Sequence, residues 1–404
     1  MFLALFFFTF LTVTSQEKKE NPFSFKWDNG FKVESADKNF KFSFGGRIMA
    51  DHAFFSQDAG LDDAFGQLLV KNGTEIRRAR LFIAGTVYTN VDFKLDLGFE
   101  GGEVGFKDVY LGIKNIPIVG NIRIGNVKEP IRLEMLTSSK YITFLERSLH
   151  SDYSPTRNNG LLLFNDFLKK RLSAQAGLFR NAGGNANDLS ANDGYVFTSR
   201  ITGLAIDDKE KKQLLHLGLG YSFRKPETEE YRVSSRPEAH LSGKKYINTG
   251  IIEDVNSVNM VNFETALVKG PFLLQAEYLM TDVNTGIGNS ENTYNFSSYY
   301  GQVSYFLTGE SKKYKSSYSG FNRVKPNKNF GGKNKGSGAW EVALRYSNSD
   351  LNSKDVFGGE QTDVTLGLNW YLNPVTRIMV NHVWEKVKNF GNAKTFQVRF
   401  QIDF

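Results

Sequence analysis

The strongest signal in the chain is a two-residue rhythm. The closing stretch TFQVRFQIDF sets Phe396, Val398, Phe400, Ile402 and Phe404 against Gln397, Arg399, Gln401 and Asp403, the alternation of a strand with one apolar and one wet face. The same rhythm places Val91, Phe93, Leu95, Leu97 and Phe99 opposite Asp92, Lys94, Asp96 and Gly98. It recurs with Leu215, Leu217, Leu219, Tyr221 and Phe223 opposite His216, Gly218, Gly220, Ser222 and Arg224. Trp340, Val342, Leu344 and Tyr346 oppose Glu341 and Arg345, and Val364, Leu366, Leu368, Trp370 and Leu372 oppose Thr365, Gly367 and Asn369. In each case the second face is too polar for a protein core. Segments of about 9–11 alternating residues match tilted strands that cross a bilayer.

Energetics decides which face meets lipid. A Lys or Arg at the bilayer midplane costs about 2–4 kcal/mol, and turning Asp92, Lys94, Arg224, Arg345 and Arg399 inward avoids that repeatedly. Closure pairs every backbone donor and acceptor, which an open sheet in lipid could not do. The expected fold is therefore all-β, a transmembrane antiparallel β-barrel of about sixteen strands, wide enough for an aqueous channel. Short turns fall on the side of the C-terminus, at Thr89 to Asn90, Asn115 to Gly120, Lys269 to Pro271 and Asn373 to Pro374. Long connections, residues 128–158 and 225–257, fall on the other side. Residues 309–338 break this rule, being on the short-turn side yet far too long for a turn. Long structureless connections usually carry function or disorder.

The only long apolar run, FLALFFFTFLTVT at residues 2–14, is followed by QEKKE. It is too short for a spanning helix and reads as a signal peptide over residues 1–15. Residues 16–38 are then an N-terminal periplasmic or plug segment, and residues 39–404 the barrel. An apolar strand ending on Phe404 also resembles the terminal strand by which the bacterial outer-membrane machinery recognises its barrels. The expected location is the bacterial outer membrane, in contact with its lipid and lipopolysaccharide.

Composition narrows the chemistry. The 404 residues contain no Cys, which removes thiol nucleophiles, Cys-ligated zinc and iron–sulfur clusters. The histidines His52, His150, His216, His240 and His382 form no HExxH-like pattern, and neither GxSxG nor GxxxxGK[ST] occurs. No enzyme, cofactor or metal is expected. A net charge of +7 invites a nucleic-acid reading, but the distribution argues against it. Lys312, Lys313, Lys315, Arg323, Lys325, Lys328, Lys333 and Lys335 give the stretch between Ser311 and Gly338 a charge of +8, leaving −1 for the rest. Folded into the lumen, the segment would form an anion-attracting ring, a basic gate in a nearly neutral wall. In the 128–158 connection, Arg132, Lys140, Arg147 and Arg157 supply cations, and Ser138 and Ser139 hydroxyl donors.

The chain also resembles the phosphate-selective porins O and P. The similarity rests on GGRIMADHAFF (45–55), EIRRARLFIAGTVY (75–88), LTSSKYITFLERSL (136–149), LLQAEYLMTDV (273–283), YFLTGE (305–310), GAWEVALRYSNSDL (338–351) and LGLNWYLNP (366–374). The resemblance implies a trimeric, 16-stranded channel for small anions, with inward-folded loops and an arginine ladder leading to a lysine-lined constriction. It implies central lysines at Lys315 and Lys325, a serine pair at Ser138 and Ser139, and an anion-facing carboxylate at Asp108. It places ladder arginines at Arg47, Arg77, Arg78, Arg147, Arg224 and Arg236. A third central lysine is replaced by Met135, for which Arg132 would substitute if the stretch is helical, and Arg80 and Lys128 depart from the family pattern. The expected function is passive, anion-selective diffusion, with phosphate or polyphosphate as candidate solutes. A channel for larger nutrients such as oligosaccharides, with Tyr314, Tyr318 and Phe321 as an aromatic slide, is the alternative, beside a structural or adhesion barrel.

Overall fold

The computed structural model describes residues 22–28, 30–182, 186, 194–286, 292–331 and 335–404. The expected leader at residues 1–15 lies outside them, as does the start of the 16–38 segment.

Sixteen antiparallel strands form the wall, neighbour pairing with neighbour in chain order. They are β1 (Phe40–Gln57), β2 (Asn72–Val87), β3 (Val91–Gly98), β4 (Gly105–Ile116), β5 (Gly120–Lys128), β6 (Arg157–Phe167), β7 (Leu172–Arg180) and β8 (Tyr195–Asp208). The second half comprises β9 (Gln213–Arg224), β10 (Val255–Lys269), β11 (Phe272–Thr285), β12 (Asn292–Phe306), β13 (Ala339–Ser353), β14 (Val356–Asn373), β15 (Thr376–Val387) and β16 (Gly391–Asp403). β16 pairs back onto β1 from Ala393↔Gln57 to Asp403↔Arg47, so the sheet closes. Several strands exceed the length needed to span lipid, reaching 18 residues in β1 and β14.

The alternation orients the side chains as its energetics requires. On β16, Phe396, Phe400 and Ile402 are exposed on the outside, while Gln397, Arg399, Gln401 and Asp403 are buried inside. The short turns expected from the sequence all lie at the end that carries the C-terminus. At that end the described part of the 16–38 segment forms a hairpin, Phe23–Trp27 with Phe31–Ser35, whose second strand pairs with Phe44 through Lys41 of β1.

Three long connections turn into the barrel. Residues 129–156 enter from the far end and hydrogen-bond to strands across the lumen. Arg399 donates to the Leu145 carbonyl (2.5 Å), Arg377 to Ile142 (2.9 Å) and Asn369 to Thr143 (2.8 Å), while the Glu277 carboxylate accepts from the amides of Leu133 and Glu134. Residues 225–254 follow from the same end, with Glu238 accepting from Arg345 (2.9 Å), Ser347 (2.6 Å) and Thr365 (2.5 Å). Residues 307–331 enter from the C-terminal end and meet the first loop where the Phe321 amide donates to Thr137 Oγ1 (3.2 Å); Lys333 of this connection lies outside the described residues. Buried polar groups need partners, and these loops supply them to the polar lumen face of β8–β16. The half of the lumen along β1–β6 stays open.

Gly220 shows how closely the first loop lies on the wall. A Cβ there would collide with the Ile131 carbonyl oxygen. Gly220→Val, which suits a strand, is expected to leave a heat-modifiable, folded barrel but to push this loop off the wall toward the open half and lower single-channel conductance. Unchanged conductance would show that the loop does not set the bore.

Candidate functional site

Two connected chambers run through the open half. The larger, about 1310 Å³, is lined by β1–β6 and by the inward loops. The smaller, about 230 Å³, lies between the first two inward loops and includes Arg236, Asp152 and His240. Both are bordered by Arg77, Arg78, Met135, Arg147 and Thr156, so these residues mark the passage from one chamber to the other. The larger chamber is lined by sixteen Lys or Arg residues and four Asp or Glu.

Most of these cations are held in place by the fold. Arg77 makes a paired contact to Glu146 (2.8 and 2.9 Å), and Arg80 bonds Glu100 (2.7 Å). Arg47 donates to Ser139 (2.9 Å) and at 3.4 Å to Ser138. Arg147 donates to the carbonyls of Glu134 and Thr137, at 3.0 and 2.9 Å. Lys94 and Arg157 both reach Asp108 at 2.6 Å. Arg123 pairs with Asp92 at 3.0 Å and lies over the rings of Tyr110, Phe164 and Tyr318. Lys313, Lys315 and Lys325 make no ion pair among the described residues. Burial, with Lys94 and Arg123 nearby, pulls the Lys315 ammonium below its usual range. A wall of partly compensated cations lowers an anion's energy without trapping it, which conduction requires.

The chain matches the family model of the phosphate-selective porins O and P over residues 45–404. The chain belongs to the phosphate-selective porin O and P family. It is 27% identical to Porin O of Pseudomonas aeruginosa, over 91% of this chain and 88% of that one. It is 28% identical to an uncharacterized protein of Caulobacter vibrioides, over 86% of this chain and 69% of that one. Among solved structures it is similar in fold to a loop-deletion mutant of OmpT from Vibrio cholerae, with a TM-score of 0.56 and 11% identity over 91% of this chain and 100% of that one. The anion-selective porin from Comamonas acidovorans gives a TM-score of 0.53 and 14% identity over 90% and 100%. The chain is thus a porin of the bacterial outer membrane, a channel protein by family and fold rather than an enzyme.

In this porin the fold gathers most of the residues singled out from sequence. Arg47, Arg77, Arg78, Asp108, Ser138, Ser139, Arg147, Lys315 and Lys325 border the larger chamber, and Arg236 the smaller. Arg224 borders neither, its guanidinium lying against Glu129 (3.0 Å) and Asn181 (3.0 Å). Asp108 already accepts two cations, so its carboxylate is occupied by the wall itself. Arg132 does not replace the missing lysine. The stretch is helical only over Leu133–Leu136, and Arg132 is fully buried beyond its start, donating to the Ser151 carbonyl at 3.2 Å. Lys128 instead caps that short helix, donating to the carbonyls of Met135 and Leu136 at 2.6 and 3.0 Å, the favoured place for a cation at a helix C-terminus.

The notion of one basic gate in a neutral wall also changes. Of the charged stretch at 311–338, Lys313, Lys315, Arg323 and Lys325 border the larger chamber, while Lys312 is buried against Glu341 (3.2 Å). The other cations lining that chamber come mainly from β1–β6 and the first inward loop. Sequence reasoning passed over Lys94, Lys107 and Arg123 as chamber residues because alternation marks them as inward but not as uncovered.

Lys140 offers a pH test. Burial draws its ammonium down to about 8, against the opposing pull of Asp403 at 3.3 Å. A lysine with a lowered pKa is charged below that value and neutral above it. Anion selectivity is therefore expected to fall as pH rises from about 7 to about 9, and Lys140→Arg to flatten the change because arginine stays protonated. Reversal potentials in a salt gradient measure both; a flat wild-type profile would mean that Lys140 does not act on the permeating ion.

Proposed function

We propose that this porin is an anion-selective diffusion channel for small solutes, with phosphate or polyphosphate among them. One observation carries the reading: the excess of sixteen cations over four carboxylates around the larger chamber. Charge of one sign along a low-dielectric passage concentrates the opposite ion and repels its own. Guanidinium groups neutralise oxyanions and the hydroxyls of Ser138 and Ser139 can donate to their oxygens. The passage between chambers carries Arg77, Arg78 and Arg147 around the uncharged Met135, which makes it a weaker grip than a fully cationic ring.

OmpT of Vibrio cholerae, similar in fold with a TM-score of 0.55 and 12% identity, is known in a trimer form. We extend a homotrimer embedded in outer-membrane lipid and lipopolysaccharide to this porin on that likeness. The oligosaccharide alternative is less favoured because, of its three aromatic residues, Tyr318 and Phe321 border the chamber but Phe321 is buried and Tyr318 stacks on Phe164, while Tyr314 packs on Phe321 and His216.

Chloride is expected to permeate in preference to potassium in planar bilayers; a cation-selective reversal potential would sink the reading. Met135→Lys is expected to strengthen the block of chloride current by phosphate about tenfold, or roughly 1.4 kcal/mol, through one added charge-assisted contact. A titration of current against phosphate reads this directly, and an unchanged block would mean that residue 135 does not face the permeating ion.

A further inference from the structure

We infer that the larger chamber holds a subsite for organic anions that carry a planar ring beside their acidic group, such as aryl phosphates, with Phe82 as the ring's platform. The inference rests on the anion-channel reading above and names a substrate class for that same passage.

Size is the first argument. At about 1310 Å³ the chamber has room for an organic anion as well as an inorganic one. An inorganic oxyanion alone leaves most of it to water.

The second argument is the pairing of ring and charge on one wall. Phe82 of β2 borders the chamber and lies against Gly45 of β1, where a Cβ would come within 2.8 and 2.9 Å of two of its ring carbons and closer still to the Phe404 carbonyl oxygen. The absent side chain at position 45 leaves room for both the Phe404 carbonyl and the Phe82 ring. Two ammonium groups sit over it, Lys94 at 5.7 Å and Lys140 at 5.8 Å from the centroid, and Lys140 is also 5.4 Å from the ring of Tyr141. Arg47 and its hydroxyl partner Ser139 border the same chamber. Lys94 also touches Asp108 and Asp96, and Lys140 touches Asp403, so neither cation is free of counter-charge. The lining as a whole nevertheless stays strongly positive.

An acid group drawn to Lys94, Lys140 and Arg47 brings any attached ring to within stacking range of Phe82. Inorganic phosphate and alkyl phosphates gain the charge contacts only. Stacking of a ring on an aromatic side chain is worth about 1–3 kcal/mol in nucleic-acid sites, enough to separate the two classes.

The test compares block of chloride current by inorganic phosphate, methyl phosphate and phenyl phosphate, using the full barrel reconstituted in planar bilayers. Phenyl phosphate is expected to block at a concentration about tenfold lower than methyl phosphate, within the range for one stacked ring. Phe82→Leu should bring the two within about twofold of each other, and Phe82→Tyr should keep them apart. Equal block by phenyl and methyl phosphate, while inorganic phosphate still blocks, would overturn the ring subsite and leave the anion channel standing. A phenyl preference that survives Phe82→Leu would overturn Phe82 as the platform. No block by any of the three, with cation selectivity, would overturn the anion reading and this inference with it.

Discussion

The architecture turns on one buried guanidinium. Arg399 of β16 bonds Asp51 of β1 across the closing seam at 2.7 and 2.6 Å, Glu146 of the first inward loop at 2.7 Å, and the Leu145 carbonyl. The same side chain thus closes the barrel and fastens the loop that narrows it. Glu146 passes the contact on to Arg77, one of the residues between the chambers. Breaking such a buried pair from one side leaves an uncompensated charge, typically at 3–5 kcal/mol. Seam, loop and passage are therefore coupled through one connected set of charges.

The coupling explains why the lumen is divided. Along β8–β16 the interior is rich in carboxylates and amides, and the inward loops cover it with backbone and side-chain partners. Glu277 takes loop amides, Glu238 from the second loop is taken by strand donors, and Asp403 takes Arg323 from the third loop at 3.1 Å. Arg200, fully within this half and paired with Glu264, also donates to the Ser317 carbonyl at 2.9 Å. What the loops leave uncovered is the wall where β2–β5 present Arg80, Lys94, Lys107 and Arg123, with Arg77 and Arg78 at its border beside Glu146 of the first loop. Selectivity comes from which part of the interior stays exposed, more than from the charge of any single loop.

Much of this was legible in the sequence. Strand alternation assigned Arg399, Asp403, Arg345 and Lys94 to the interior, because side-chain direction in a strand is a local property with period two. Turn chemistry at Asn373 and Pro374, and the lengths of the long connections, placed the ends of the strands and set residues 309–338 apart. Arg224 was harder. Its inward direction was correct, but whether it meets solute or Glu129 depends on a carboxylate at the start of the first inward loop, far from it along the chain. Arg132 was harder still, since its direction follows from a one-turn helix too short for periodicity to reveal.

The sequence by itself determined the barrel: alternation, closure and the cost of charge in lipid permit no other arrangement of these strands. Only the tertiary structure decided where the positive charge acts. A whole-chain charge of +7 with one stretch of +8 pointed to a single basic gate. In the folded chain, the cations of β8–β16 are buried in pairs with carboxylates and loop carbonyls, while the excess of cations along β1–β6 stays exposed to the chamber. Parity along a strand fixes inside or outside, but position around the barrel depends on contacts between residues hundreds of places apart, and that angular position separates a lining cation from a buried one.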